Sequence, residues 1–231
     1  MRYALGAMLL LLGLAGPAGA WEKVLEEHGI LVEEQAVAGR NLPMFRGRGV
    51  VNAGLYEVIA VLSDADRRTQ WLHRCVESKI VARLDAFTTV AYTRTDAPWP
   101  VDDRDAVMLA QLFTVEPGRV YRAQFTALPD PRMPPRDGIV RMKHLHGHWV
   151  IEALSPSSTR VEYEVDADPG GLLPGWLAAR ASRELPLQSV LGLRRQTRRT
   201  RGVYDAFLDQ WDPERRPKDA PTPAQPPVWK P

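Results

Sequence analysis

The stretch "STRVEYEVDADPGGLLPGWLAARASRELPLQSVLGLR", Ser158 to Arg194, decides the fold. Its first third alternates. Thr159, Val161, Tyr163 and Val165 fall on one face of a strand, and Arg160, Glu162, Glu164 and Asp166 on the other. Alternation of this kind marks a strand in an antiparallel sheet with one face in water. Asp-Pro-Gly-Gly at 168–171 then interrupts the ladder, and Pro174 suits a helix start. From Gly170 to Trp211 the pattern is that of a long helix, which Pro186 must kink or divide. A sheet covered by one long helix is an α+β arrangement.

Upstream, "VESKIVARL" and "FTTVAYTRT" read as strands joined through Asp85-Ala86. "DAVMLAQLFTVE" and "VYRAQFTAL" pair through Pro117-Gly118, and "GIVRMKHLHGHWVIEAL" pairs with the strand at Ser158. "AGLYEVIAVLSDADRRTQWLHRC" reads as two helices. Leu55, Val58, Ile59 and Leu62 recur at helical spacing, and Ser63-Asp64 ends the first and caps the second. "ILVEEQAV" and "FRGRGVV" read as two strands, and "WEKVLEEH" as a short helix stopped by Gly29. The expected order is helix, two strands, two helices, six strands, long helix. A sheet of about eight strands curls, and its apolar concave face has to be covered. Only the C-terminal helix is long enough.

The two ends read differently from the middle. Residues 1–20 have the layout of a cleavable signal peptide: Arg2, an apolar run from Ala4 to Leu14, and Ala18-Gly19-Ala20. The run is shorter than the ~20 residues of a membrane span. The expected product is exported, periplasmic or secreted, and starts at Trp21. The formal net charge of the 231 residues is +2, and Arg2 leaves with the leader. Without a strong field or a basic arm, no nucleic-acid partner is expected. Cys75 is the one cysteine, so the fold holds by packing, and the thiol reads as buried and inert. The last twenty residues contain seven of the chain's twenty prolines, and residues 212–231 read as a disordered, extended tail. One domain, 21–211, remains, and a monomer is expected.

Four strings in this order resemble the START family, the lipid-transfer domains related to steroidogenic acute regulatory protein. "SDADRRTQWL" looks like the helix that ends in a tryptophan before the central sheet. "VESKIVARL" with "TTVAY" looks like the hairpin after it. "PWPVDDRDAV" is similar to the Pro-aromatic-Pro loop and Arg-Asp pair, most of all in the phosphatidylcholine-transfer branch. "DPGGLLPGWLAARASRELPLQSVLGLR" looks like the entry and cavity-covering final helix. The resemblance spans roughly Trp21 to Trp211. It implies a helix-grip fold: a curved antiparallel sheet wrapped around a long C-terminal helix, with an internal tunnel for one lipid or sterol. It implies a lipid-binding wall that includes Trp99, Arg104, Ala110, Trp149, Leu173, Trp176, Leu177 and Val190. Sterol-binding members have a buried arginine where an ungapped count gives Ala110, so a less polar tunnel is implied here. No cofactor is implied.

Individual residues leave alternatives open. Pro98 and Pro100 stiffen the turn that presents Trp99, either as a gate residue or as a plug for one end of the core. Asp102, Asp103 and Asp105 form an acid cluster, but a catalytic dyad needs two carboxylates in one pocket. Arg104 and Asp105 read instead as a surface ion pair that ties the loop to the sheet. His144, His146 and His148 could face one way on a strand, as zinc ligands do. They span about 13 Å, too far for one metal without a bend. If Trp149 faces the tunnel, they face water, and no metal is expected. Arg194, Arg195, Arg198, Arg199 and Arg201 cover half of a helix. They serve either as a solvated face or as a transient contact with an anionic membrane, at about 1 kcal/mol each. The expected function is a non-catalytic carrier or sensor of one hydrophobic lipid in the cell envelope. The alternative is a helix-grip enzyme of cyclase or hydrolase type, which needs His146 or Asp105 inside the tunnel.

Overall fold

The computed structural model describes residues 19–40, 42–171 and 175–230. The signal-peptide reading therefore falls almost wholly outside the described residues, as does Leu173. Ten strands and three helices follow in order. Strands β1 (Glu22–Glu27), β2 (Ile30–Gln35) and β3 (Met44–Val51) lead to helix α1 (Leu55–Ser63). Then come β4 (Cys75–Arg83), β5 (Thr88–Thr95), β6 (Asp103–Glu116), β7 (Val120–Ala127), β8 (Ile139–Arg141), β9 (His144–Ser155) and β10 (Ser158–Asp168). Helices α2 (Gly175–Arg199) and α3 (Asp205–Trp211) close the chain. The strands make one sheet in the order β1-β2-β3-β10-β9-β7-β6-β5-β4. The pairs along this path are antiparallel, and β8 adds to β6 in parallel. This is the expected α+β helix-grip architecture.

Alternation sets the two faces. Met108, Ala110 and Leu112 of β6 face the same space as Ala123 and Phe125 of β7. Leu145, Trp149 and Ile151 of β9 and Tyr163, Val165 and Ala167 of β10 continue that face. Helix α2 lies across β2, β3 and β10. It comes close because Gly47 lacks a side chain: a Cβ there would sit 2.9 Å from the Pro186 ring carbon. Pro186 does not end α2, which continues through it as one element.

Four expectations change. The segment 22–27 is a strand, not a helix. A register shift between Lys23 and Leu25 lets Val24 and Leu25 both turn partly inward, which imitates a helical face. His28 and Gly29, at φ 53° and 65°, form the two-residue turn of the β1–β2 hairpin. Second, the segment after Asp64 holds only a short 3₁₀ turn, Arg68–Gln70, before the chain extends into β4. Arg74 at φ 54° closes that stretch. Third, the long helix ends at Arg199, and a turn with Gly202 at φ 79° separates it from α3. Fourth, the last residues are extended, as the prolines require, but they are seated on the sheet. β5 begins opposite Gln111, so β6 has an open edge beyond it. The Thr114 amide donates to Pro227 (2.9 Å), Trp229 donates back to Thr114 (2.8 Å), and Arg122 lies 4.9 Å over the Trp229 ring.

Candidate functional site

Between the apolar sheet face, α1 and α2 lies a cavity of about 1400 Å³. Sites for drug-sized ligands hold about 300–1,000 Å³, so this one has room for something larger. Its wall is built from the alternating residues above, with Ile59 and Leu62 of α1 and Leu185 of α2. Trp149 stacks on Tyr163 at 4.2 Å between ring centres, and Trp71 meets Trp149 edge-on at 6.1 Å.

One end of the cavity is rimmed by the 96–102 loop and the first turns of α2. Trp99 is 92% exposed and Trp176 is 69% exposed, yet both border the cavity. Trp99 therefore does not plug the core. The loop is anchored at both ends. Arg74 bridges to Asp96 at 2.7 Å, and the Ala97 amide donates to Asp103 at 3.1 Å. Arg104 is buried and lines the cavity, and it holds no carboxylate. Its guanidinium donates to the carbonyls of Asp102, Pro169 (3.4 Å) and Gly170 (3.2 Å), tying the rim loop to the entry of α2. Desolvation pulls its pKa below the ordinary arginine value. Asp105 turns the other way. It is 1% exposed and accepts two bonds from Arg141 of β8, at 2.6 and 3.0 Å. The expected Arg104–Asp105 surface pair is thus two separate buried contacts. The short parallel strand β8 pairs with Asp103–Asp105 and sets Arg141 opposite Asp105.

Of the residues expected on the wall, Trp99, Arg104, Ala110, Trp149, Trp176 and Leu177 border the cavity. Val190 does not. It is fully buried where α2 packs on Gly49 of β3, away from the cavity. Neither His146 nor Asp105, the two residues named for the enzyme alternative, is on the wall. His144 bonds to Asp166 at 3.0 Å and His146 to Thr126 at 2.9 Å on the opposite face of the sheet.

His148 lies buried on that outer face, 3.7 Å from Glu162 and 3.7 Å from Glu164. Their ligand atoms fall within 4.8 Å of one another, a cross-strand grouping that the His-x-His spacing did not reveal. The His148 imidazole beside it and the charges of Arg46 and Arg48 hold Glu162 below the usual carboxylate range. Arg122 also faces both glutamates. Guanidiniums already neutralise this group, so it does not call for an ion.

The residue that the sequence reading missed is Arg68. It lines the cavity and sits against Tyr163 and Cys75. Among the described residues it has no salt bridge, and its one hydrogen bond is a long one, 3.5 Å to the Leu62 carbonyl. The nearby Asp64 is committed to Arg67 at 2.6 Å and to Tyr204 at 2.9 Å. Burial lowers the Arg68 pKa, but a guanidinium keeps its proton in any protein site. The cavity therefore contains a fixed positive charge that makes no direct ion pair among the described residues. Burial also pushes the Cys75 thiol up to about 11, which keeps it protonated and inert.

A protein-family model described as START domain matches residues 6–189. The uncharacterized protein PA1579 of Pseudomonas aeruginosa is 32% identical over 189 residues, covering 79% of this chain and 90% of that protein. The phosphatidylcholine transfer protein of Bos taurus is 28% identical over 163 residues, covering 68% and 75% of the two chains. A crystal structure titled as a STAR-related lipid transfer protein from Xanthomonas axonopodis superposes with a TM-score of 0.70 at 30% identity. It covers 77% of this chain and 98% of that one.

Proposed function

The chain belongs to the START domain family, and on that premise we propose that it binds one phospholipid in its cavity and carries it within the cell envelope. The acyl chains lie along the apolar sheet face, and the phosphate meets Arg68. The observation that carries this reading is the guanidinium of Arg68, without an ion pair among the described residues, on a mostly apolar wall. Burying a charge without a partner is costly, and an anionic ligand supplies the partner. A cavity of about 1400 Å³ suits a two-chain lipid better than a compact one. The names of the bovine and Xanthomonas relatives agree with lipid transfer. The envelope setting rests on the export signal at 1–20.

Exchange takes place at the rim. Trp99 and Trp176 offer exposed rings where an indole favours a membrane interface. The arginines at the other end of α2 are not the docking face for exchange. Trp176 and Arg198 are 22 residues apart on one helix, about 33 Å at 1.5 Å per residue. Arg194 is also not free, since it donates to the carbonyls of Val50 (2.7 Å), His28 (2.6 Å) and Gly29 (3.2 Å). Arg195, Arg198, Arg199 and Arg201 remain exposed and act as a solubilising face. The carrier works as a monomer.

The test is Arg68→Met. The purified wild-type protein should yield one phospholipid per chain on extraction. The variant should take up labelled phospholipid about 10- to 150-fold less well, the worth of a charge-assisted hydrogen bond of about 1.5–3 kcal/mol. With the buried charge gone, its empty form should melt no lower than wild type. Equal uptake by the variant, or preferential uptake of sterol by the wild type, would overturn the proposal.

A further inference from the structure

A phosphate on Arg68 leaves the rest of a headgroup to be accommodated by whatever surrounds it. Zwitterionic lipids bring an ammonium attached to the phosphate, and that ammonium needs a carboxylate or an open set of aromatic faces. The sheet wall supplies neither: the carboxylates and exposed rings that border the cavity lie on the 96–102 loop and on α2.

Three carboxylates border the cavity, and all lie at the rim. Asp96 is bridged to Arg74 at 2.7 Å, and Glu184 to Arg180 at 2.8 Å, with His73 4.0 Å from Glu184. Asp102 is on the exposed rim loop. Arg104, between the rim loop and the entry of α2, is again cationic and is bonded only to carbonyls. The sheet wall therefore carries guanidiniums, Arg83 and Arg104, and no carboxylate among the described residues.

The interior rings are packed on one another, while Trp99 and Trp176 stand exposed at the rim. One face of Trp149 is covered by Tyr163, at 9° between planes, and Trp71 closes on Trp149 edge-on. Phe125 tilts over Tyr163 at 6.2 Å. A spare polar group of this aromatic cluster is a donor: the buried Trp71 Nε1–H has no partner among the described residues. Burial also keeps the Tyr163 hydroxyl protonated, so it adds no negative charge.

Resting on the phospholipid reading above, we infer that the cavity selects phospholipids of net negative charge, whose headgroup is a bare phosphate or a phosphate carrying neutral hydroxyls, and discriminates against headgroups that carry an amine.

The experiment uses short-chain, water-soluble phospholipids, so that no membrane surface can enrich an anionic lipid outside the cavity. Delipidated full-length protein is offered equal amounts of the phosphatidylglycerol, phosphatidylcholine and phosphatidylethanolamine forms, and the bound lipid is read by native mass spectrometry. The phosphatidylglycerol form should exceed each amine-bearing form by about tenfold, or about 1.4 kcal/mol. Arg68→Met should lose uptake and, with it, the preference. Equal or preferential binding of the phosphatidylcholine form, still abolished by Arg68→Met, would overturn this inference and leave the phospholipid reading intact. Failure of the wild type to take up any of the three would overturn both.

Discussion

Replacing Trp99 with alanine separates membrane contact from folding, because the ring is 92% exposed while its loop is fixed at both ends. An aromatic side chain can bury about 150–250 Å². At about 25 cal/mol per Å², full immersion would contribute about 4–6 kcal/mol. A ring that settles halfway into the headgroup layer contributes about half of that, 2–3 kcal/mol, or about 30- to 150-fold in vesicle affinity. The folded state has little to lose, since truncating an exposed side chain usually shifts stability by less than about 0.5 kcal/mol. Co-sedimentation with vesicles, transfer of a fluorescent phospholipid between vesicle populations, and a thermal melt make the set of assays. The expected outcome is an unchanged melting temperature with weaker sedimentation and slower transfer. Unchanged sedimentation would refute the interfacial role of the rim. A clear drop in melting temperature would refute the view of Trp99 as unpacked.

Three further outcomes follow from the packing. Asp105→Asn leaves Arg141 buried without its carboxylate and should lower stability by about 3–5 kcal/mol in urea denaturation, the cost of breaking one side of a buried pair. Gly192→Ala would set a Cβ 1.9 Å from the Trp71 carbonyl, so α2 must back away from the wall. The loss should be about 1–3 kcal/mol or more, despite the roughly 1 kcal/mol that alanine gains in a helix; a stabilised variant would show the contact to be wrong. Acidification should destabilise the fold. Burial lowers the pKa of both His73 and His146, so near pH 6 the unfolded chain binds more protons than the folded one. Stability is full above the unfolded value of about 6.5 and is lost as pH falls through the folded values. The melting temperature should decline over that window, and less so in His73→Gln with His146→Gln; an identical slope in the double variant would count against this assignment.

The sheet was readable because the central strands follow a strict period of two and turn where Gly or Pro supplies the angle. The strand at 22–27 was hidden by its bulge, which brought two apolar neighbours to one side. The stretch after Asp64 reads as amphipathic for another reason. Trp71 and Leu72 serve the core from the turn between the 3₁₀ segment and β4, not from successive helical turns. The rim loop and the entry of α2 were legible through their prolines and glycines. Arg68 was not, because a charge that faces a cavity has no local signature. Its meaning depends on Tyr163, which is 95 residues further along the chain, and on what fails to appear beside it. Asp105 was misjudged for a similar reason: its partner, Arg141, arrives on a three-residue strand that the sequence merges with the next one.

The contact between Thr114 and the proline-rich segment also sets a schedule. The hydroxyl of Thr114 bonds to the carbonyl of Pro226, 112 positions later. At about 5–20 residues per second, synthesis takes about 6 to 20 seconds to deliver that partner. For that interval the far end of β6 is an uncovered strand edge on a nascent chain. Whatever escorts the chain during that time has an edge to shield, and the last piece of the sheet locks only after the rest of the domain has been made.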